Sequence, residues 1–171
     1  MSGVPVQGGF EIRAVALDDP VARALELDLI AETTRRYGAR GQNPLSSGQF
    51  DPPGGYFVLA LDGEEPVGCG GLRRLDERVA ELKRMYVVPG ARRRGVARQM
   101  LEFLEACAAT VGYEEVWLET GTEQPEAIDL YSSAGYVPIT PYGEFRIDAR
   151  SRCFARSLLT GPPRTPASFP S

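Results

Sequence analysis

Apolar and polar residues alternate over residues 10–17, the period-2 pattern of a strand with one buried face. Asp19-Pro20 then offers an N-cap and a first helical position, and Val21, Leu25 and Leu29 recur at four-residue spacing. This predicts a helix that stops at Gly38. Residues 38–55 are rich in Gly, Pro, Asn and Ser and read as a long loop, which inside a compact domain is usually functional or mobile. Residues 56–61 and 66–75 flank Asp62-Gly63 as a hairpin, and 79–88 is the next strand. Val96, Met100, Leu104, Cys107, Ala108 and Val111 share one helical face. Residues 115–119, around Trp117, form a short strand. Pro125 opens a helix with Ala127, Leu130, Tyr131 and Ala134 on one face and Gly135 as its stop. Residues 136–139 and 152–158 are the last two strands. The order is β-α-loop-β-β-β-α-β-α-β-β, an α/β chain in which three meandering strands precede a βαβ crossover.

A length of 171 residues fits one domain with a proper core. It is expected at 10–159, between a flexible N-terminus at 1–9 and a Pro- and Ser-rich tail at 160–171. The net charge of −4 argues against a general nucleic-acid binder, so the arginines at 92–94 are a local feature. No apolar run is long enough for a membrane span, and the first residues lack the basic and apolar regions of a signal peptide. Cys69, Cys107 and Cys153 are an odd set without metal spacing, as expected of free thiols in a reducing cytoplasm. The chain has no histidine, which excludes His-dependent triads and His metal sites. A general base must be a carboxylate, a tyrosine, a cysteine, a terminus or water.

The richest stretch is Val87-Val88-Pro89-Gly90-Ala91-Arg92-Arg93-Arg94-Gly95-Val96-Ala97. An apolar strand ends at Pro89, a basic turn follows, and a helix begins at once. A helix N-terminus has unpaired N–H groups and a partial positive charge, so it suits a phosphate, and Gly95 lets the backbone come close to it. Taken alone, three arginines also fit a solvated run or a nucleic-acid patch. The stretch is neither a Walker loop nor a dinucleotide Gly-x-Gly-x-x-Gly.

Arg92-x-x-Gly95-x-Ala97 resembles the pyrophosphate loop of the GNAT superfamily of N-acetyltransferases. Leu130-Tyr131-x-x-x-Gly135-Tyr136 is similar to that family's Leu-Tyr-x-x-x-Gly-Phe/Tyr block, and Gly68-Cys69-Gly70-Gly71 to its third strand. The resemblance covers about 10–159. It implies a GNAT fold: a mixed, mostly antiparallel twisted sheet flanked by helices, with a V-shaped splay between the fourth and fifth strands. It also implies an acyl-CoA-dependent N-acyltransferase, with attack of an amine on the thioester of acetyl-CoA in a ternary complex.

Residue by residue, the resemblance assigns the phosphates to the backbone at Arg93, Arg94, Gly95, Val96 and Ala97. Arg92 would add a side-chain charge and Arg98 would meet the outer phosphates. The pantetheine arm would pair with the strand edge at Met85, Tyr86 and Val87. Gln124 stands where the family often has asparagine. Tyr131 would assist the departing sulfur, unless it is only a core aromatic. Glu81 lies fourteen positions before Gly95 (95 − 81), the offset of the general base in the histone-acetylating branch, and Glu119 is the competing carboxylate. Strand parity puts Glu81, Lys83, Met85 and Val87 on one face, where Lys83 would weaken Glu81 as a base. The acceptor pocket would draw on residues 30–55 and 140–150, which contain Glu32, Arg35, Arg36, Tyr37, Tyr142, Glu144 and Arg146, a mix of signs that selects no substrate charge. The expected acceptor is a primary amine of a small molecule or peptide, with neither nucleic acid nor membrane as partner, and a homodimer stays open. A non-catalytic acyl-CoA sensor on the same fold is the alternative.

Overall fold

The Asp19 carboxylate accepts hydrogen bonds from the backbone N–H groups of Val21 and Ala22 at 2.9 and 3.1 Å. That cap fixes the start of α1 (Pro20–Tyr37), which follows β1 (Glu11–Val15). A computed structural model describes residues 9–38 and 45–163. The expected loose start at 1–8, the middle of the long loop at 39–44 and the tail from 164 lie outside the described residues.

Three strands meander next: β2 (Tyr56–Asp62), β3 (Glu65–Arg74) and β4 (Val79–Val87). Then come α2 (Val96–Val111), β5 (Glu115–Gly121), α3 (Pro125–Ser133), β6 (Val137–Ile139) and β7 (Ser151–Ser157). The seven strands form one sheet in the order β1-β2-β3-β4-β5-β7-β6, and every pairing is antiparallel except β4–β5. The mixed sheet expected from the sequence is therefore present, with its one parallel pair at the crossover through α2. Short 3₁₀ turns at Ser47–Phe50 and Gly143–Ile147 interrupt the two segments read as loops. No helix among the described residues is long and apolar enough to cross a membrane.

The α2 face predicted from periodicity packs on the sheet. Val96, Met100, Leu101, Leu104 and Ala108 are buried against Val58, Leu82, Val116 and Leu118. Each such side chain contributes about 1.5–3 kcal/mol by leaving water. A second apolar cluster lies beneath α1 (Leu17, Leu25, Phe57, Leu59, Tyr86), and a third joins Val79 to Trp117 and Tyr142.

Two sequence expectations need correction. The buried face of α1 is Ala22, Leu25 and Glu26, and Val21 is exposed. The helix is turned so that the buried Glu26 carboxylate meets Arg84 of β4, with Nε to Oε1 at 3.2 Å. Strand parity along β4 also fails. Cys69 pairs with Tyr86 but Gly71 pairs with Lys83, so Gly70 faces two residues of β4, Arg84 and Met85. This is a β-bulge, and Arg84 sits in it with a left-handed φ of 59°. Glu81 and Lys83 therefore face one side of the sheet, while Met85 and Val87 pack on the α2 side.

Candidate active site

β4 and β5 are hydrogen-bonded only from Val79–Glu81 to Glu115–Trp117. Beyond that point β4 runs on to Val87 and β5 to Gly121 without pairing, which is the expected V-shaped splay. The bulge provides the physical cause, since an extra residue bends a strand and strengthens its local twist. Holding a non-glycine residue at positive φ costs on the order of 1–3 kcal/mol, so the surroundings must enforce it. Here the Arg84 side chain is tied to Glu26, and the Cys69 thiol donates to the Arg84 carbonyl at 3.6 Å. Gly70 is required opposite the bulge, because a Cβ there would lie 2.3 Å from the Met85 sulfur.

The splay opens into a cleft of about 790 Å³. β4 contributes Leu82, Lys83, Arg84 and Met85, and β5 contributes Leu118, Glu119, Thr120 and Gly121. Leu29, Thr33 and Tyr37 of α1 form one wall, Gln124, Ala127 and Tyr131 another, and Glu144 to Ser151 the rim.

The two candidate carboxylates part company here. Glu81 is 1% exposed and does not line the cleft. Its Oε1 takes Arg73 Nε and Nη2 at 2.9 and 2.8 Å, and its Oε2 accepts from the Tyr142 hydroxyl at 2.6 Å. The Tyr142 phenol is held well above its usual pKa by burial and by that same carboxylate, so it stays a donor. Both of its oxygens are thus engaged by an arginine and a tyrosine, and neither is presented to the cleft. Lys83, expected as its neighbour, sits instead over the Phe145 ring, 5.2 Å from the centroid. Glu119 lines the cleft. Burial raises its pKa most, against opposing pulls from a Ser151 hydrogen bond and from Lys83. It combines access with raised basicity.

Tyr131 is 6% exposed and lines the cleft, packed edge-on to Tyr136 at 5.7 Å. It is at once part of the core and part of the site wall. Burial pushes its phenol far above the ordinary range, so it remains protonated. Gln124 lines the cleft as the residue before α3, and its side-chain oxygen accepts from the Gly121 backbone N–H at 3.2 Å.

The basic turn divides into residues that shape it and residues that face outward. Arg92 is not presented as a free charge. Its Nε donates to the Val87 carbonyl at 2.9 Å, its Nη2 pairs with Glu32 at 2.7 Å, and it lies over the Tyr86 ring. Tyr86 itself is buried in the cluster beneath α1, so only its backbone belongs to the strand edge. Arg94 pairs with Asp62 at 2.8 Å and covers Phe10, and Arg98 donates to the Ser133 hydroxyl. Arg93 is exposed at a left-handed φ of 63° and has no partner among the described residues. Val96 is buried in the core. Gly95 caps α2 in the left-handed conformation (φ 85°), with no side-chain cap and nothing within 4 Å of a Cβ placed there. The N-terminal N–H groups of α2 are thus uncapped by a side chain, with open space beside Gly95 and, among the described residues, an unpartnered Arg93 next to them. That donor set fits a pyrophosphate, and the unpaired β4 edge beside it fits an extended amide chain.

Of the acceptor residues expected from sequence, Tyr37 and Glu144 line the cleft. Glu32 and Arg36 pair with each other at 3.3 Å, Arg36 also reaches Glu126, and Tyr142 serves Glu81. Arg35 and Arg146 are exposed and outside the lining. Thr33, Phe145, Asp148 and Arg150 also line the cleft and fall within the expected acceptor segments, though the sequence did not single them out; Leu29 lies just outside those segments, and Lys83 was given no place in the cleft. No local signal marks them, because they come together only where α1, β4 and the 143–150 segment converge.

Residues 22–136 match the model of the acetyltransferase (GNAT) family. The chain is 36% identical over 104 residues to a Bacillus subtilis (strain 168) protein named uncharacterized N-acetyltransferase YsnE, covering 60% of this chain and 69% of that one. It is 32% identical over 149 residues to the IAA acetyltransferase of Azospirillum brasilense, covering 84% and 97%. The crystal structure of a GNAT family acetyltransferase from Elizabethkingia anophelis with acetyl-CoA bound superposes with a TM-score of 0.63. It is 19% identical and covers 88% of this chain and 99% of that one, a likeness of fold.

Proposed function

The chain belongs to the acetyltransferase (GNAT) family and is an acyl-CoA-dependent N-acyltransferase that uses acetyl-CoA, and on that premise we propose that its acceptor is the primary amine of a small molecule, with Glu119 as the general base. The observation that carries the reading is that Glu119 and Tyr131 line the same cleft, at the mouth of the strand splay, while Glu81 does not.

Acetyl-CoA supplies the acetyl group as a thioester. The uncapped turn from Arg93 to Ala97 holds the phosphates through backbone N–H groups, with the Arg93 guanidinium nearby. The β4 edge at Met85–Val87 orients the extended arm. Arg92 keeps the turn in shape through Glu32 and Val87. The Glu119 carboxylate accepts the proton that the acceptor ammonium must lose before its nitrogen can attack. The carbon–nitrogen bond then forms, the carbon–sulfur bond breaks, and the Tyr131 hydroxyl donates a hydrogen bond to the sulfur as negative charge develops there. Full transfer of the Tyr131 proton would run uphill, because the buried phenol lies far above a thiol of pKa about 8.5. As the tetrahedral adduct collapses the nitrogen gives up its second proton, which solvent relays to the thiolate, and Glu119 releases the first proton to solvent.

The test is Glu119→Gln. Burial holds Glu119 above the ordinary carboxylate range, so its base form is present above that raised value and is lost as pH falls through it. The wild type should show this acidic limb in kcat/KM, unmoved when a less basic acceptor is used. In Glu119→Gln the limb should vanish and kcat should drop by ~10²–10⁴-fold. An unchanged rate and profile would remove Glu119 from the chemistry.

A further inference from the structure

We propose that the acceptor carries a carboxylate as well as its amine, as an amino acid does, and that Lys83 binds that carboxylate. The inference rests on the transferase reading of the same cleft.

Three cations line the cleft: Lys83, Arg84 and Arg150. Two already have carboxylate partners. Arg84 is ion-paired with buried Glu26, and Arg150 grips Asp148 through Nε and Nη2, both at 3.2 Å. Lys83 makes no ion pair among the described residues. Its ammonium is held against the face of Phe145, which also lines the cleft. An aromatic face steadies a cation without consuming its charge or all its N–H donors. A half-buried ammonium in that state gains most from an arriving anion, through a charge-assisted hydrogen bond.

The position of Lys83 relative to the base makes the point specific. Lys83 leaves β4 and Glu119 leaves β5 on the same side of the sheet, where the two strands have diverged. Their charges influence one another, yet they form no salt bridge within 4 Å among the described residues. The cleft therefore presents a positive and a negative group held apart, the reverse image of an amine–carboxylate zwitterion. The substrate ammonium faces Glu119 and its carboxylate faces Lys83. A simple alkylamine would bring its own positive charge beside an uncompensated lysine, a like-charge contact that disfavours binding.

The experiment uses the full chain with acetyl-CoA and matched acceptor pairs that differ only in the carboxylate: phenylalanine and phenethylamine, leucine and 3-methylbutylamine, lysine and cadaverine. Thiol release gives kcat/KM, corrected to the free-amine form of each acceptor. The carboxylate-bearing member of at least one pair should be preferred by tenfold or more. Lys83→Met should bring that preference down toward one, chiefly through KM of the amino acid, and Lys83→Arg should keep most of it. Equal or better use of the decarboxylated partner in every pair would overturn the inference while leaving the transferase reading intact. So would a Lys83→Met enzyme in which both members of a pair fall in the same proportion. No thiol release with any amine, from protein that still binds acetyl-CoA by calorimetry, would instead refute the transferase reading, and this inference with it.

Discussion

Glu81→Gln separates a carboxylate that holds the sheet together from one that takes a proton. The side chain is 1% exposed and carries three strong hydrogen bonds, two from Arg73 and one from Tyr142. Glutamine keeps the shape. Its oxygen can still face Arg73, and its amide can donate to the Tyr142 hydroxyl, which turns to accept. What is lost is the charge that compensates Arg73. Removing one member of a fully buried pair costs about 3–5 kcal/mol. Arg73 is 21% exposed and also donates to Gln49 at 3.1 Å, so solvent and that amide recover part of the loss. We expect about 2–3 kcal/mol, or a fall in Tm of roughly 5–10 °C for a domain of this size. Urea unfolding followed by far-UV circular dichroism measures the stability, with Arg73→Gln and the double variant closing a cycle whose coupling energy should exceed about 1 kcal/mol. In parallel, kcat of the folded variant should stay within tenfold of wild type, with its acidic limb unmoved. The reasoning fails if Glu81→Gln has wild-type stability, or if kcat falls a hundredfold and the limb disappears. The first result would deny Glu81 its structural role, and the second would return the base to it.

Tyr131→Phe keeps the edge-on contact with Tyr136 and removes only the hydroxyl. Loss of one donor to developing charge is worth ~10²–10³-fold in kcat, with acetyl-CoA affinity nearly unchanged. Unaltered kcat under conditions where chemistry limits the rate would reduce Tyr131 to packing. Gly95→Glu meets no atom within 4 Å but must hold a left-handed φ, so roughly 1–2 kcal/mol of stability is lost. Its carboxylate stands at the mouth of α2, and calorimetry should show acetyl-CoA binding at least tenfold weaker. Wild-type affinity there would dismiss the turn as the phosphate site.

The elements of this fold and the basic turn that opens α2 could be read from the chain because their causes are local. The cap at Asp19, the stripe from Val96 to Ala108 and the glycine that opens α2 at Gly95 each depend on a few contiguous residues. Tyr131 was legible for the same reason, since one helical period and one following glycine position it. The meander and the crossover from β4 to β5 followed from the element order, whereas the place of β7 between β5 and β6 did not. Which carboxylate reaches the cleft did not follow. Glu81 and Glu119 are equally plausible as letters, and what distinguishes them is Arg73, Tyr142 and burial, contributed by strands and loops distant in sequence. Arg92 looked like a free charge until Glu32, sixty positions earlier, met it. The bulge at Arg84 is likewise a tertiary decision. A residue of poor left-handed propensity adopts that conformation because the buried carboxylate of Glu26, on another element, holds its side chain. Once it does, the parity of β4 reverses beyond it, Met85 and Val87 turn to the α2 side, and the strands part into the cleft that Lys83 lines. Period and capping are written in the chain because they are short-range. Pairing, desolvation and the direction of a side chain beyond a bulge arise only when distant segments compete for the same buried volume.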